Sequence, residues 1–373
     1  MNTVVRPKVV AIDARGYFTG GGIGRYTRNL VRALAASCGT AVRLRLLISN
    51  RHAPGDVDLP GGSNVEVCVS RATWMNAEEE DQWLAEETAD ADLFHSLTGH
   101  WMPAERGVAT LYDLTPLVRP RLTSVDARRA SRRIAEQIER AAHLIVVSHS
   151  TARDVRSVLA SRVPPMTVIP AAPEGVFKPG IAAEATLAAH GLARDRFLLI
   201  VSVLNPHKNI ARLIEAYASS GVDVPLVIAG AHRDDTGRVH AAITRHQLEE
   251  RVRLIGRVSD EELAALYGSC RAFVYPSLYE GFGLPVVEAM ACGAAVIASR
   301  SSSIPEVTGD AALLADPGRT RSLAAALRRL HQDDVLREKL RRLSVVRAAV
   351  FSWSRVATAT LGVYDAALEA RAA

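Results

Sequence analysis

Short aliphatic runs alternate with amphipathic segments of helical period along nearly all of this 373-residue chain, and no other feature narrows its fold as far. A parallel strand is buried on both faces and reads as an unbroken apolar run, while the helix that returns the chain hides one stripe. Their alternation predicts βαβ units closing into parallel sheets. In the first half the runs at 9–12, 42–48, 65–69, 93–95, 108–111, 144–147 and 167–169 are expected strands. Residues 23–36, 81–88, 124–142 and 150–160 are expected helices.

A break follows. Pro170, Pro173, Gly175, Pro179 and Gly180 fall within eleven residues, a density that stops any regular element and reads as a linker. The pattern then resumes with strands expected at 197–204, 225–229, 252–255, 272–275, 295–299 and 312–314, and with helices in between. Ser259 and Glu262 form an S-x-x-E capping box that fixes one helix start. Helices dominate from Arg319 onward, ending in an amphipathic segment at 354–368. Because domains of about 100–200 residues are the norm, the chain divides into a first domain at 1–172, a linker at 173–195, a second domain at 196–350 and a closing helix at 351–373. Ligands of doubly wound sheets bind at strand carboxyl ends, so the active site is expected in a cleft between the two domains.

Composition removes several classes of protein. With 48% hydrophobic and 23% charged residues the chain is neither disordered nor fibrous. Its net charge of +5 is spread along the sequence, a weak sign of nucleic acid, and no nucleic-acid partner is expected. Only four of the 45 basic residues are lysine (Lys8, Lys178, Lys208, Lys339), which makes each lysine worth examining. Cys38, Cys68, Cys270 and Cys292 have neither metal-ligand nor disulfide-framework spacing and read as reduced thiols. The N-terminus is too short in apolar residues for a secretory signal, and no run approaches the ~18 that a spanning helix needs. The expected location is cytoplasmic.

The richest chemistry lies in Tyr275-Pro-Ser-Leu-Tyr-Glu280-Gly281-Phe282-Gly283-Leu284-Pro285-Val-Val-Glu288. It follows an expected strand and opens a helix at Pro285, a favoured first helical residue. The amides of Gly283, Leu284 and the first turn then form an anion site. Gly281 and Gly283 admit a ligand close to the backbone. Two carboxylates beside a phosphate site suit recognition of sugar and ribose hydroxyls. The plainer alternative has Glu280 capping locally and Glu288 on a solvated face. Lys208 follows the 197–204 strand in His207-Lys208-Asn209, with Asn209 as an expected N-cap that would set the ammonium beside a helix start. Gly20-Gly-Gly22-Ile-Gly24 opens the first helix, and its spacing argues against a dinucleotide fingerprint.

Glu280-Gly-Phe-Gly-Leu-Pro-x-x-Glu288-Ala-Met-Ala-x-Gly293 resembles the E-x7-E signature of the retaining family 4 glycosyltransferases. The segments beginning at Gly256 and Ile304 are similar to that family's flanking motifs, and Phe351-Ser-Trp353 to its closing one. The resemblance covers nearly the full chain and implies the GT-B fold, two Rossmann-like α/β domains facing a cleft, with a terminal helix crossing back to the first. It implies a nucleoside diphosphate sugar as co-substrate, with no cofactor and no catalytic metal. Glu280 would hold the donor sugar and support the reacting centre, Glu288 the ribose, and Gly281, Phe282, Gly283 and Leu284 the sugar and diphosphate. Lys208 would neutralise the departing diphosphate, and Gly22 and Gly24 would approach the donor phosphate. Arg257 and Val258 would sit at the base.

The block is most similar to bacterial mannosyl- and rhamnosyl-type transferases of polysaccharide assembly, so the first expected donor is GDP-mannose and the acceptor an unidentified hydroxyl, lipid-linked in one option. Two departures stand out. Tyr112-Asp113-Leu114 replaces a His-Asp-Leu and makes Tyr112 and Asp113 the expected catalytic neighbours of Glu280, and His207 stands where arginine is usual. His95, at a strand end, either lends polarity to the cleft or is structural. The tripeptides Asp56-Val-Asp58 and Asp90-Ala-Asp92 lack the context of a metal site and read as solvated. Arg128, Arg129, Arg132, Arg133 and Arg140 give the helix from Ser124 to Ala142 a basic stripe, suited to an anionic lipid surface or simply to solvent. The rival readings are a sugar-nucleotide 2-epimerase of the same fold and a relative that binds sugar nucleotides but has lost catalysis.

Overall fold

The computed structural model of the chain describes residues 6–49, 59–70, 77–99, 101–103 and 107–372. It divides into two compact units: residues 1–118, 125–171 and 352–373 form one, and 119–124 with 172–351 form the other.

The first unit runs β1 (Lys8–Asp13), α1 (Gly22–Ser37), β2 (Val42–Ile48), β3 (Val65–Val69), α2 (Ala77–Glu87), β4 (Leu93–Ser96), β5 (Gly107–Leu111), α3 (Thr115–Val118), α4 (Val125–Ile138), β6 (His143–Val146), α5 (His149–Leu159) and β7 (Met166–Val168). Its strands pair in the order β3-β2-β1-β4-β5-β6-β7, and every pairing is parallel. All of β5 and all but the first residue of β1 are buried, the two-sided burial that their unbroken apolar sequence requires. Phe94, Leu84, Leu144, Ile138 and Val155 gather strands and helices into one core.

The second unit runs α6 (Glu184–Ala189), β8 (Leu198–Val201), α7 (Ile210–Ala218), β9 (Leu226–Ala229), α8 (Thr236–Arg245), β10 (Val252–Gly256), α9 (Asp260–Ser269), β11 (Ala272–Tyr275), α10 (Leu284–Ala291), β12 (Val296–Ser299), α11 (Ile304–Thr308), β13 (Ala312–Ala315), α12 (Thr320–Gln332) and α13 (Asp334–Ala348). Its sheet is again wholly parallel, in the order β10-β9-β8-β11-β12-β13. The chain closes with α14 (Trp353–Ala372), which packs on α1 of the first unit. Its Tyr364 hydroxyl lies 2.7 Å from His95 Nδ1.

Each sheet is therefore a doubly wound parallel sheet with a Rossmann-type strand order. At the start of α9 the Ser259 hydroxyl accepts from Glu262 N at 3.1 Å and Glu262 Oε2 from Ser259 N at 2.8 Å, the reciprocal bonding its sequence predicts.

Several boundaries differ from the sequence expectations. The 197–204 run is strand only from Leu198 to Val201, and just beyond it Ser202 lies against Gly230, where an added Cβ would come within 1.9 Å of the Ser202 carbonyl oxygen. The segment expected as a linker at 173–195 carries α6, which packs on α9. The basic helix ends at Ile138 rather than Ala142, since residues 139–142 turn directly into β6. Arg119–Ser124 groups with the second unit rather than the first, and the Arg119 guanidinium lies 5.0 Å from the Tyr279 ring. Among the described residues no helix is long and apolar enough to cross a membrane.

Candidate functional site

Both sheets reverse their winding between the first strand and the fourth, at β1/β4 and at β8/β11. There the loops leaving adjacent strands diverge to opposite faces and open a crevice at the carboxyl ends. In the second unit those loops deliver Lys208 and Glu280. The chain leaves β8, makes a 3-10 turn over Pro206–Lys208 and enters α7. The loop after β11 carries Glu280 and ends at Gly283, the residue before α10.

Lys208 Nζ donates to Glu280 Oε1 at 2.6 Å and to the Tyr275 hydroxyl at 3.1 Å. The two charged side chains are only 14% and 11% exposed, so neither ion is well hydrated. Burial by itself would raise the Glu280 carboxyl, but the attraction of Lys208, with His207 adding to it, holds it below the ordinary carboxylate range. Burial would likewise lower Lys208, and the charge of Glu280 with the Tyr275 contact more than reverses this. The pair is ionised. An ammonium carries three donors, so these two bonds leave one proton for a third acceptor.

The loops are tied to each other by backbone. Leu278 N donates to His207 O at 2.7 Å. Asn209 is the N-cap of α7 as expected, its carbonyl accepting from Leu213 N at 3.2 Å, but its side chain does not cap the helix. Its backbone is left-handed, at φ 62°, and its amide donates instead to the Pro276 and Pro317 carbonyls at 3.1 and 2.8 Å. The local chain folds this way because asparagine tolerates the left-handed region.

Gly283 has φ 104°, a backbone conformation that favours glycine, while the tip of the Ile304 side chain lies where a Cβ would be added. Leu284 and Pro285 follow as the first residues of α10. Phe282, expected to line the donor, is buried with its ring 5.7 Å from that of Phe351 in an edge-on pair, so its side chain is core and only its backbone faces the loop. Glu288 is buried rather than on a solvated face, with its Oε2 accepting from the Tyr267 hydroxyl at 3.3 Å. Arg257 is exposed and Val258 partly buried, between the end of β10 and α9.

The first unit treats its reversal point differently. Asp13, at the end of β1, is fully buried and receives Arg15 Nε at 2.8 Å, Arg15 Nη2 at 2.9 Å and the Thr98 hydroxyl at 2.8 Å. Arg15 Nη1 continues to Glu80 Oε2 at 3.0 Å. Burial would raise the Asp13 carboxyl, and its bonds and charge attraction to Arg15, with Thr98, bring it below the ordinary value.

Of the residues expected near a donor phosphate, Gly22 is exposed as the first residue of α1. Gly24 has a packing reason of its own, since a Cβ there would come within 1.9 Å of Thr19 O. Tyr112 departs from the expectation of a catalytic group. Its ring stands edge-on to Tyr26 at 5.2 Å and its hydroxyl is buried with those of Tyr26 and Thr27. Burial drives its pKa well above the ordinary tyrosine value. Asp113 is exposed and its Oδ1 accepts from Thr115 N at 2.8 Å, starting α3. His95 is structural: wholly buried, it meets Tyr364 and, at 2.8 Å, Thr110, and burial lowers its pKa to about 3. Asp90 and Asp92 are engaged by Arg45 and by Arg6 and Val9 N, and Asp56 and Asp58 lie outside the described residues. Among the described residues no three His, Cys, Asp or Glu side chains gather as a metal site.

Sequence reasoning missed the bracing of the Glu280 loop by Ser301, Ser302 and Ser303, which follow β12. The signal was a run of three hydroxyls at a strand's carboxyl end. It also missed the Asp13–Arg15 pair, whose signal was D-x-R closing a buried strand.

The model of the family described as Glycosyl transferases group 1 matches residues 184–344. O-antigen chain mannosyltransferase B of Escherichia coli is 32% identical over 267 residues, 70% of this chain and 70% of that protein. The MMP alpha-(1->4)-mannosyltransferase of Mycolicibacterium hassiacum is 34% identical over 316 residues, 76% of this chain and 73% of that protein. Among solved structures, a sucrose-phosphate synthase from Thermosynechococcus elongatus superimposes with a TM-score of 0.79 at 24% identity, covering 98% of this chain and all of that one. With two parallel Rossmann-like units of the GT-B fold and relatives that match it over more than two thirds of their length, the chain belongs to the group 1 glycosyltransferases.

Proposed function

We propose that this glycosyltransferase moves a hexose, mannose from GDP-mannose as the first assignment, onto an acceptor hydroxyl in polysaccharide or glycolipid assembly, with retention at the anomeric carbon and without a metal. The observation that carries the reading is the buried Lys208–Glu280 pair beside the Gly283–Leu284 helix start, at the reversal point of the second sheet. The mannosyl assignment draws on the named activities of the two relatives.

In this reading the diphosphate accepts hydrogen bonds from the remaining Lys208 N–H and from the first amides of α10, which favour negative charge. The ribose reaches Glu288, and the base lies toward Arg257 and Val258. As the bond from the anomeric carbon to the diphosphate oxygen breaks, its electron pair goes to the diphosphate, where Lys208 offsets the growing charge. The acceptor oxygen attacks from the same face, its proton passing to the departing phosphate oxygen. Glu280, kept anionic by Lys208, stabilises the positive anomeric centre. Arg129, Arg132 and Arg133, exposed along α4, suit an acceptor held at an anionic lipid surface.

A thermal-shift panel of GDP-, UDP-, dTDP- and ADP-sugars tests the donor, since a ligand at 100 times its Kd stabilises by about 2.7 kcal/mol. Stabilisation by GDP-mannose above the others supports the assignment. Stabilisation by another nucleotide replaces the donor, and none by any of them removes the reading.

A further inference from the structure

The loop that carries Glu280 is held by its neighbours. Besides its bonds to the segment from His207 to Asn209, it is tied to the segment after β12. Ser301 Oγ donates to Leu278 O at 2.7 Å, and Ser303 Oγ donates to Glu280 O at 3.0 Å and to Phe282 O at 2.9 Å. These two serines hold the carbonyls of Leu278, Glu280 and Phe282, Ser303 sharing its one hydroxyl proton between the last two. The remaining tie acts on the Glu280 amide: its backbone N–H donates to Ser302 Oγ at 2.8 Å.

Ser302 makes this bond from a conformation that serine disfavours. Its φ is +50°, and only four other described residues apart from glycine share a positive φ. One of those four is Asn209, adjacent to Lys208, so two of the five uncommon backbones brace the two partners of a single ion pair. Asparagine enters the left-handed region with little cost, whereas serine does so against steric resistance. Glycine would adopt it freely but would bring no oxygen to Glu280 N. A residue kept in a disfavoured conformation while its side chain performs a specific task is where a positioning role is to be sought.

We propose that Ser302 is a positioning residue for the transfer reaction: its hydroxyl, presented by a left-handed backbone, sets the height of the Glu280 backbone and with it the aim of the carboxylate held by Lys208. The proposal rests on the role given to Glu280 above, and it adds a requirement that the role alone does not carry. Ser302 touches no reacting atom in this account. It acts on kcat through Glu280 and leaves the amides of α10, which bind the diphosphate, where they are.

The test compares Ser302→Gly with Ser302→Ala in the full chain. Both lose the hydroxyl, while only glycine relieves the backbone, so Ser302→Gly is expected to melt above Ser302→Ala. Both are expected to lose kcat by about tenfold to a hundredfold with the donor KM nearly unchanged, because misplacement of a reacting group raises the barrier without weakening ground-state binding. Hydrogen exchange in peptides covering 278–283 is expected to quicken in both variants relative to the wild type.

A purely structural serine would make activity follow melting temperature, with the glycine variant near the wild-type rate. That result, or unchanged exchange at Glu280, overturns the proposal. A wild-type protein that neither binds nor turns over any sugar nucleotide would instead remove the transfer reading, and the exchange measurement would still decide whether Ser302 holds the Glu280 loop.

Discussion

The two units wind their sheets the same way and reverse at the same relative strand, yet they fill the two reversal points with opposite chemistry. At β1/β4 one guanidinium serves two carboxylates: Asp13 is bound by Arg15 and Thr98, and Arg15 continues to Glu80, so the cluster carries an excess of negative charge. At β8/β11 the Lys208–Glu280 pair is charge-balanced, uses two of three ammonium protons and stands before a helix start at Gly283, whose φ is positive. The excess negative charge of the first arrangement disfavours an anion, whereas the second is charge-balanced and keeps one ammonium N–H to donate. A reversal point thus supplies a place for a ligand, and the residues on its loops decide whether one is held there.

The comparison breaks most sharply at Glu280. Glu280→Gln keeps a hydrogen-bonding group for Lys208 but removes the negative charge, and transfer is expected to fall by about a hundredfold to a thousandfold while calorimetry finds donor affinity nearly intact. Lys208→Met and Arg15→Met form the matched pair. Each strands a buried carboxylate, so each is expected to cost about 3–5 kcal/mol in denaturant unfolding. Only Lys208→Met should weaken donor binding. Equal loss of affinity from both would erase the distinction between the units. Combining Lys208→Met with Glu280→Gln should restore part of the stability, because the stranded charge is gone.

Acid sharpens the contrast further. His95 is held neutral down to about pH 3, against an ordinary value of 6.5. Between those values the unfolded chain binds a proton that the folded one refuses, so stability falls as pH falls, by up to about 1.4 kcal/mol per pH unit. His143 and His331, also lowered by burial, act in the same direction. The lowered carboxyls of Asp13 and Glu280 extend the loss below the ordinary carboxylate range. His95→Gln should flatten the slope of unfolding free energy between pH 6 and 4, about the range set by an ordinary histidine. An unchanged slope would show that His95 does not set it.

The smallest effect is expected at Phe282. Its ring packs on Phe351, so Phe282→Leu should cost about 1 kcal/mol of stability and leave donor affinity unaltered. A marked loss of affinity would return its side chain to the site.

The sequence carried the architecture well because buried parallel strands leave a strong mark. Each aliphatic run, from 9–12 to 312–314, corresponds to a strand, and the Ser259–Glu262 box gives an exact helix start. It carried the site in part. Glu280, Lys208 and Gly283 were legible because charge, rarity and turn chemistry coincide there. Tyr112 was not, because a motif position reveals which residue follows a strand and says nothing of whether the side chain turns inward beside Tyr26. Asn209 shows the same limit: its type suits a cap, and only its left-handed backbone reveals that the side chain reaches Pro276 and Pro317. The serine run escaped because its bonds join two loops separated in sequence by an entire helix and strand.

The central claim is that a sugar nucleotide places its diphosphate at the second reversal point, against Lys208 and the start of α10. A crystal structure of the wild-type chain with GDP-mannose tests it directly. The account predicts diphosphate oxygens within hydrogen-bonding reach of Lys208 Nζ and the Leu284 amide. Diphosphate bound at the Asp13–Arg15 end of the first sheet, or away from both, would contradict it.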